Sequence, residues 1–246
     1  MFTGVSFIYA YMTDSEVTKN IVTIGNVDIQ LTEPNYPGNN SDLVKMQQPN
    51  QETPKDPTIV STATATDSND VVVFLKMTVP VVNNVTVVSN TGALTDPKPQ
   101  EVYWFKTTND AGTEWQNSFN TDWIELETYE RNNGSTQTAG TRTYVFGYKY
   151  KLEGTNATDG TPRTGTSRIQ TSALFNKVQL KNLLEGTIAS GTTESIKLQA
   201  FGIQADTLID ASGNAINPDK ATGFTKDELV YIYGAYANQN GVTNNN

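Results

Sequence analysis

The stretch NIVTIGNVDIQLTE, residues 20–33, sets the terms for the rest of the chain. Val27, Ile29 and Leu31 fall on one face and Asp28, Gln30 and Thr32 on the other, the two-residue period of a half-buried strand. Working outward, short runs rich in β-branched and aromatic residues recur at 58–66, 71–79, 85–88, 101–107, 123–128, 141–152, 175–180 and 195–205, each bounded by turn formers. Residues 33–57, 95–100, 132–140, 154–166 and 210–223 carry the Pro, Gly, Asn and Thr that predict exposed loops and turns. This spacing predicts an all-β protein, a two-sheet β-sandwich over residues 21–238 with long loops. One segment differs. Thr225 and Glu228 stand at capping-box spacing, and Leu229, Ile232 and Tyr233 follow at helical spacing, so a short C-terminal helix is expected before a disordered tail at 239–246.

Composition excludes whole classes of chemistry. There is no histidine, so Ser-His and Cys-His mechanisms and His-ligated zinc are ruled out; there is no cysteine, so disulfides and thiolate sites are ruled out too. The 26 acidic residues outnumber the 17 basic ones, giving a net charge of -9 whose field repels phosphate backbones, and nucleic acid is not expected as a partner. Residues 1–10, MFTGVSFIYA, are small and apolar but too short to span a bilayer. They read either as the back half of a signal peptide or as an apolar first strand.

Several constellations resemble sites, and each has a plainer explanation. Asp210, Ser212 and Asn214 alternate like calcium-loop ligands, but the glycine and glutamate such a loop needs are missing, so an Asx-rich turn is expected. Asp14 and Glu16 read as a solvated acidic start. Glu125 and Glu127 fall on one face of a strand, whereas hydrolases set paired carboxylates across a cleft. Tyr103, Trp104 and Phe105, with Trp115 and Trp123, could line a carbohydrate platform, but alternation buries at least one face. The sequons at Asn39, Asn84, Asn133 and Asn156 are expected by chance in so Asn- and Thr-rich a chain. No catalytic, cofactor or metal residue is expected.

Residues 9–36, YAYMTDSEVTKNIVTIGNVDIQLTEPNY, resemble the start of TasA/camelysin proteins exported with a SipW-type signal peptide. The blocks LFNKVQLKN at 174–182 and SIKLQAFGIQADTL at 195–208 are similar to that family's closing strands. The resemblance implies a jelly-roll-like sandwich, cleavage between Ala10 and Tyr11, and a secreted extracellular matrix or biofilm fibre protein on a Gram-positive cell surface. It also implies assembly by donor-strand exchange with copies of itself or related fibre subunits. The donor would be residues 11–20, with Tyr11, Met12, Thr13, Val17 and Asn20 in it, ahead of a first core strand at 21–31. Met12 and Val17 are the apolar residues available to fill pockets, though they differ in strand parity. The family's peptidase label finds no His-Glu-x-x-His motif here, so a non-enzymatic role is expected. Two alternatives stand beside it: a surface adhesion or carbohydrate-binding module, and an accessory protein that anchors or initiates fibres.

Overall fold

A computed structural model of the chain describes residues 23–24, 29–37, 51–62, 70–89, 92–107, 117–130, 140–154, 168–184, 196–205 and 208–239. The elements are β1 (Thr23–Ile24), β2 (Ile29–Thr32), β3 (Glu52–Pro54), β4 (Thr58–Ser61), β5 (Val71–Val85), β6 (Lys98–Glu101), β7 (Tyr103–Lys106), β8 (Trp123–Glu130), β9 (Gly140–Tyr148), β10 (Lys177–Leu180), β11 (Lys197–Gln204) and helix α1 (Lys226–Gln239). The chain is an all-β sandwich closed on one side by that helix. The larger layer runs β1-β11-β5-β9-β8, with β6 also paired to β5. The facing layer holds two small sheets, β3-β10-β7 and β2-β4. Backbone bonds join them: Lys55 N to Asn176 O, Leu174 N to Pro57 O, Thr171 N to Ile59 O and Ser61 N to Ile169 O lay residues 52–61 beside 169–180 as one interrupted ladder.

β5 reads VVVFL at its start because both of its faces are buried, and a strand covered on both sides has no use for polar alternation. Val71, Val73, Leu75, Met77 and Val79 enter the core between the layers with Ile59, Tyr103, Phe105, Phe146 and Val178. Val72 and Phe74 point the other way, into a second core built from Leu126, Val145, Phe201, Phe224, Leu229, Ile232 and Tyr233. Helix α1 covers that second face. Its capping box forms as expected: Thr225 N donates to Glu228 Oε2 at 2.8 Å and Glu228 N donates to Thr225 Oγ1 at 3.3 Å.

The expected strands at 71–79 and 85–88 are largely one, since β5 continues through Pro80 to Val85 and only Val87 and Val88 remain as isolated bridges. Proline is tolerated there because β11 pairs with β5 only as far as Thr78 and β6 takes over at Val81. Pro80 falls in the gap, where a missing N–H leaves no bond unmade. The expected strand at 101–107 is broken at Val102, where the chain crosses from β6 in the large layer to β7 in the small one. Residues 98–100, expected in a loop, form β6 with Pro99 inside it, on a strand that pairs along one side alone among the described residues.

Residues 33–57 are not an exposed loop either. Thr53, Lys55, Asp56 and Pro57 are buried, and β3 pairs with β10; residues 38–50 lie outside the described residues. The single strand expected at 21–31 is two, β1 in the large layer and β2 in the small one, with residues 25–28 outside the described set. The 132–140 and 154–166 loops and the tail fall almost wholly outside it as well.

Gly223 has φ of +74° and a Cβ placed on it would sit 2.5 Å from the Lys149 carbonyl oxygen. Gly223→Ala is therefore expected to lower stability by about 1–3 kcal/mol in urea unfolding, through left-handed strain and a backbone clash together. Thr225→Ala, which removes only the cap, should cost about 1 kcal/mol.

Candidate assembly edge

The sheet edges are where this molecule can engage another strand, and most of them are occupied. β7 is shielded by the segment after it: Ser118 N donates to Phe105 O at 2.7 Å and Phe105 N donates to Asn117 Oδ1 at 3.2 Å. β4 is covered by residues 169–171, and β3 is three residues long and ends in Pro54. β8 pairs on one side only among the described residues, but it carries a bulge between Glu125 and Glu127. Bulges and edge charges are the devices that stop strand addition.

β11 is different. Eight consecutive residues pair with β5, while on the other side its described neighbour is β1, matched only at Thr23↔Gly202 and Ile24↔Ile203. This is the parallel strand pair among the described residues; the others are antiparallel. Among the described residues, no strand pairs with residues 197–200 on that side, next to the point where β1 joins β11. Ala10, Tyr11, Met12, Thr13, Val17 and Asn20, the expected cleavage and donor residues, lie outside the described residues.

The N-terminal chain is anchored downstream of β2. Lys55, fully buried, places its ammonium 2.9 Å from Glu33 Oε2 and 4.4 Å from the centre of the Tyr36 ring. The Asp56 carboxylate accepts from Asn35 N at 2.9 Å and Asn35 Nδ2 at 2.7 Å. A buried ammonium must be neutralised by a partner, so Glu33 holds the end of β2 against β3. Charged residues in a Pro- and Gln-rich run carried no sign of this in the sequence.

A second buried charge joins the layers. Glu101, at the β6 to β7 crossover, accepts from Arg142 at 2.9 Å, from Asn117 Nδ2 at 3.3 Å and from the Tyr144 hydroxyl. Burial first, and then the Glu101 charge, push the Tyr144 pKa well above its ordinary value near 10.

The remaining sequence candidates resolve. Asp210 accepts from Ser212 N at 2.8 Å, Asn214 N at 2.9 Å and Asn214 Nδ2 at 3.1 Å, an Asx turn whose donors, Asn214 foremost, hold its carboxyl below the usual range. Glu125 and Glu127 do not share a face. The bulge sets Glu125 opposite Phe146, which faces the inner core, and Glu127 opposite Val145, which faces the helix side. Tyr103, Phe105 and Trp123 are core residues, and Trp104 is half-buried under Lys181; Trp115 lies outside the described residues. Among the described residues no cluster of three or more acidic groups is placed to hold a metal ion, and no helix is long and apolar enough to cross a membrane. No protein-family model, curated protein or solved structure matches the chain.

Glu33→Ala removes the carboxylate 2.9 Å from the buried Lys55 ammonium and is expected to cost roughly 3 kcal/mol in urea unfolding. Tyr144 gives a pH signature. Its raised pKa contributes stability that is complete below the unfolded value of 10 and is lost as pH climbs above it. Tyr144→Phe should be less stable at neutral pH but show a flatter alkaline decline.

Proposed function

We propose that the protein is a secreted structural subunit of an extracellular fibre or biofilm matrix, without enzymatic activity, that assembles when the N-terminal segment of one copy adds to the β11 edge of the next. The observation that carries this reading is that, among the described residues, β11 is paired along one side but only at Gly202 and Ile203 on the other, next to β1, while the other edge strands are short, covered or bulged. The likeness of residues 9–36 and 174–208 to TasA/camelysin proteins supports export and a matrix location on a Gram-positive cell.

An extended segment gains main-chain hydrogen bonds along such an edge, each worth about 0.5–1.5 kcal/mol net, while alternate side chains such as Met12 or Val17 fill the adjoining surface. The donor and acceptor are different parts of the subunit, so the contact is head-to-tail and grows into a filament rather than a closed dimer. The partner is another copy or a related subunit. A carbohydrate-binding role is not favoured, because the described central aromatics are spent on the core and Trp104 alone stays partly exposed.

The test uses the chain beginning at Tyr11, observed by electron microscopy across concentration and pH. Filaments are expected, with loss of filaments when residues 11–20 are deleted and slowed growth when a synthetic 11–20 peptide is added in excess. A chain that stays monomeric throughout, or filaments that persist after the deletion, would overturn the reading.

A further inference from the structure

Lys181 is an anomaly among the charged residues. It follows β10, where its N–H donates to Val102 O at 2.9 Å, and the residue is only 4% exposed. Lys55 and Lys106 are equally buried, but each has a carboxylate within 4 Å. Among the described residues the Lys181 ammonium has no carboxylate at that distance and no side-chain hydrogen bond; it rests 3.8 Å above the centre of the Trp104 ring. Trp104 adds a second unmet group, since its indole Nε1–H is buried without an acceptor.

Such a site disfavours a cation. Burial is the main cause that lowers the Lys181 pKa to about 8; Glu101 opposes this and Arg142 and Lys98 reinforce it. The amine is therefore partly uncharged near neutral pH, and an unprotonated amine is a nucleophile. The charges that act on it set what it can usefully become. With Lys181 protonated, Arg142 and Lys98 leave two positive charges uncompensated beside Glu101; with an anion on Lys181, the four groups balance.

We propose that Lys181 is a carbon dioxide site, modified reversibly to an N-carboxylysine. The Nζ lone pair attacks the carbon of CO2, a C–N bond forms, one C=O electron pair moves to oxygen, and Nζ releases a proton to solvent. Amine and CO2 thus give carbamate and a proton, with no oxidant or reductant. Carbon dioxide is small and apolar, so it reaches a buried amine packed on the Trp104 ring where a hydrated anion would be excluded. The carbamate exchanges a buried unpaired cation for an anion balanced by Arg142 and Lys98, and it brings carboxylate oxygens to the neighbourhood of the unmet Trp104 N–H.

The test is 13C NMR of the full chain in 13C-bicarbonate. The α-amine and exposed lysines also form carbamates, so the informative signal is the difference from Lys181→Met. The wild type is expected to show one additional carbamate resonance that grows as pH rises through about 8, vanishes on unfolding in urea, and falls several-fold in Trp104→Phe, which keeps an aromatic ring and removes the N–H. Bicarbonate should also raise the melting temperature of the wild type above that in chloride at equal ionic strength, and should do so less in Lys181→Met. Lys181→Arg serves as the comparison if Lys181→Met does not fold. Identical spectra for wild type and the Lys181 variants, or a resonance that survives unfolding, would overturn the assignment.

Discussion

The architecture depends on β5 being buried on both faces. Val71, Val72, Val73, Phe74 and Leu75 are each at most 1% exposed, and removing each such side chain from water contributes about 1.5–3 kcal/mol before the entropy of ordering is subtracted. No half-exposed strand could gather that much. The same strand joins the sandwich core to the helix-side core, so helix α1 is a structural cover: without it Val72, Phe74 and Val145 would face water. Gly147 is where the helix comes close, since a Cβ there would meet Leu229 at 3.1 Å and Phe74 at 3.2 Å. The proposed assembly edge inherits this rigidity, because β11 is matched to β5 residue by residue along its whole length. A strand held so firmly on one side can accept a partner on the other without rearranging.

Buried and half-buried charges hold the sheets where apolar packing alone leaves freedom. Lys151 places its ammonium 2.6 Å from Asp70, 2.5 Å from Asp219 and 3.5 Å from Glu153, tying the start of β5 to the chain after β9 and to the segment before α1. Burial opposes the charge on Lys151, but its bonds to Asp219 and Asp70 outweigh that and raise its pKa. Glu101 does the same at the crossover between layers, and Lys55 at the end of β2. Each lies at a point where the chain passes between layers or between cores, and a misplaced strand would leave a charge unpaired in the interior.

Periodicity revealed the all-β class, the strand cores and the capped helix, because these follow from local residue order. What it missed depends on contacts distant in sequence. β3 was unreadable because a three-residue strand holding Thr53 between Glu52 and Pro54 has no pattern; it exists because β10 offers a ladder. The strand expected to end at Val79 runs on through Pro80, and the change of neighbour from β11 to β6 explains why a proline is tolerated there. Lys55 fell in a segment expected to be an exposed loop, and nothing in the sequence marked Glu101 or Lys181 as buried, since a single sequence does not show which carboxylate or ring a strand will meet. The bulge that separates Glu125 from Glu127 was equally silent. For the proposed assembly, the family resemblance named the donor residues, and the proposed acceptor edge rests on the pairing of β11.

Hydrogen–deuterium exchange compared between monomer and assembled protein addresses the central claim most directly. The account predicts that the amides of residues 197–200 that point away from β5 exchange readily in the monomer and become protected on assembly, while those of β8 are unchanged. Protection appearing along β8 with β11 unaltered would contradict it.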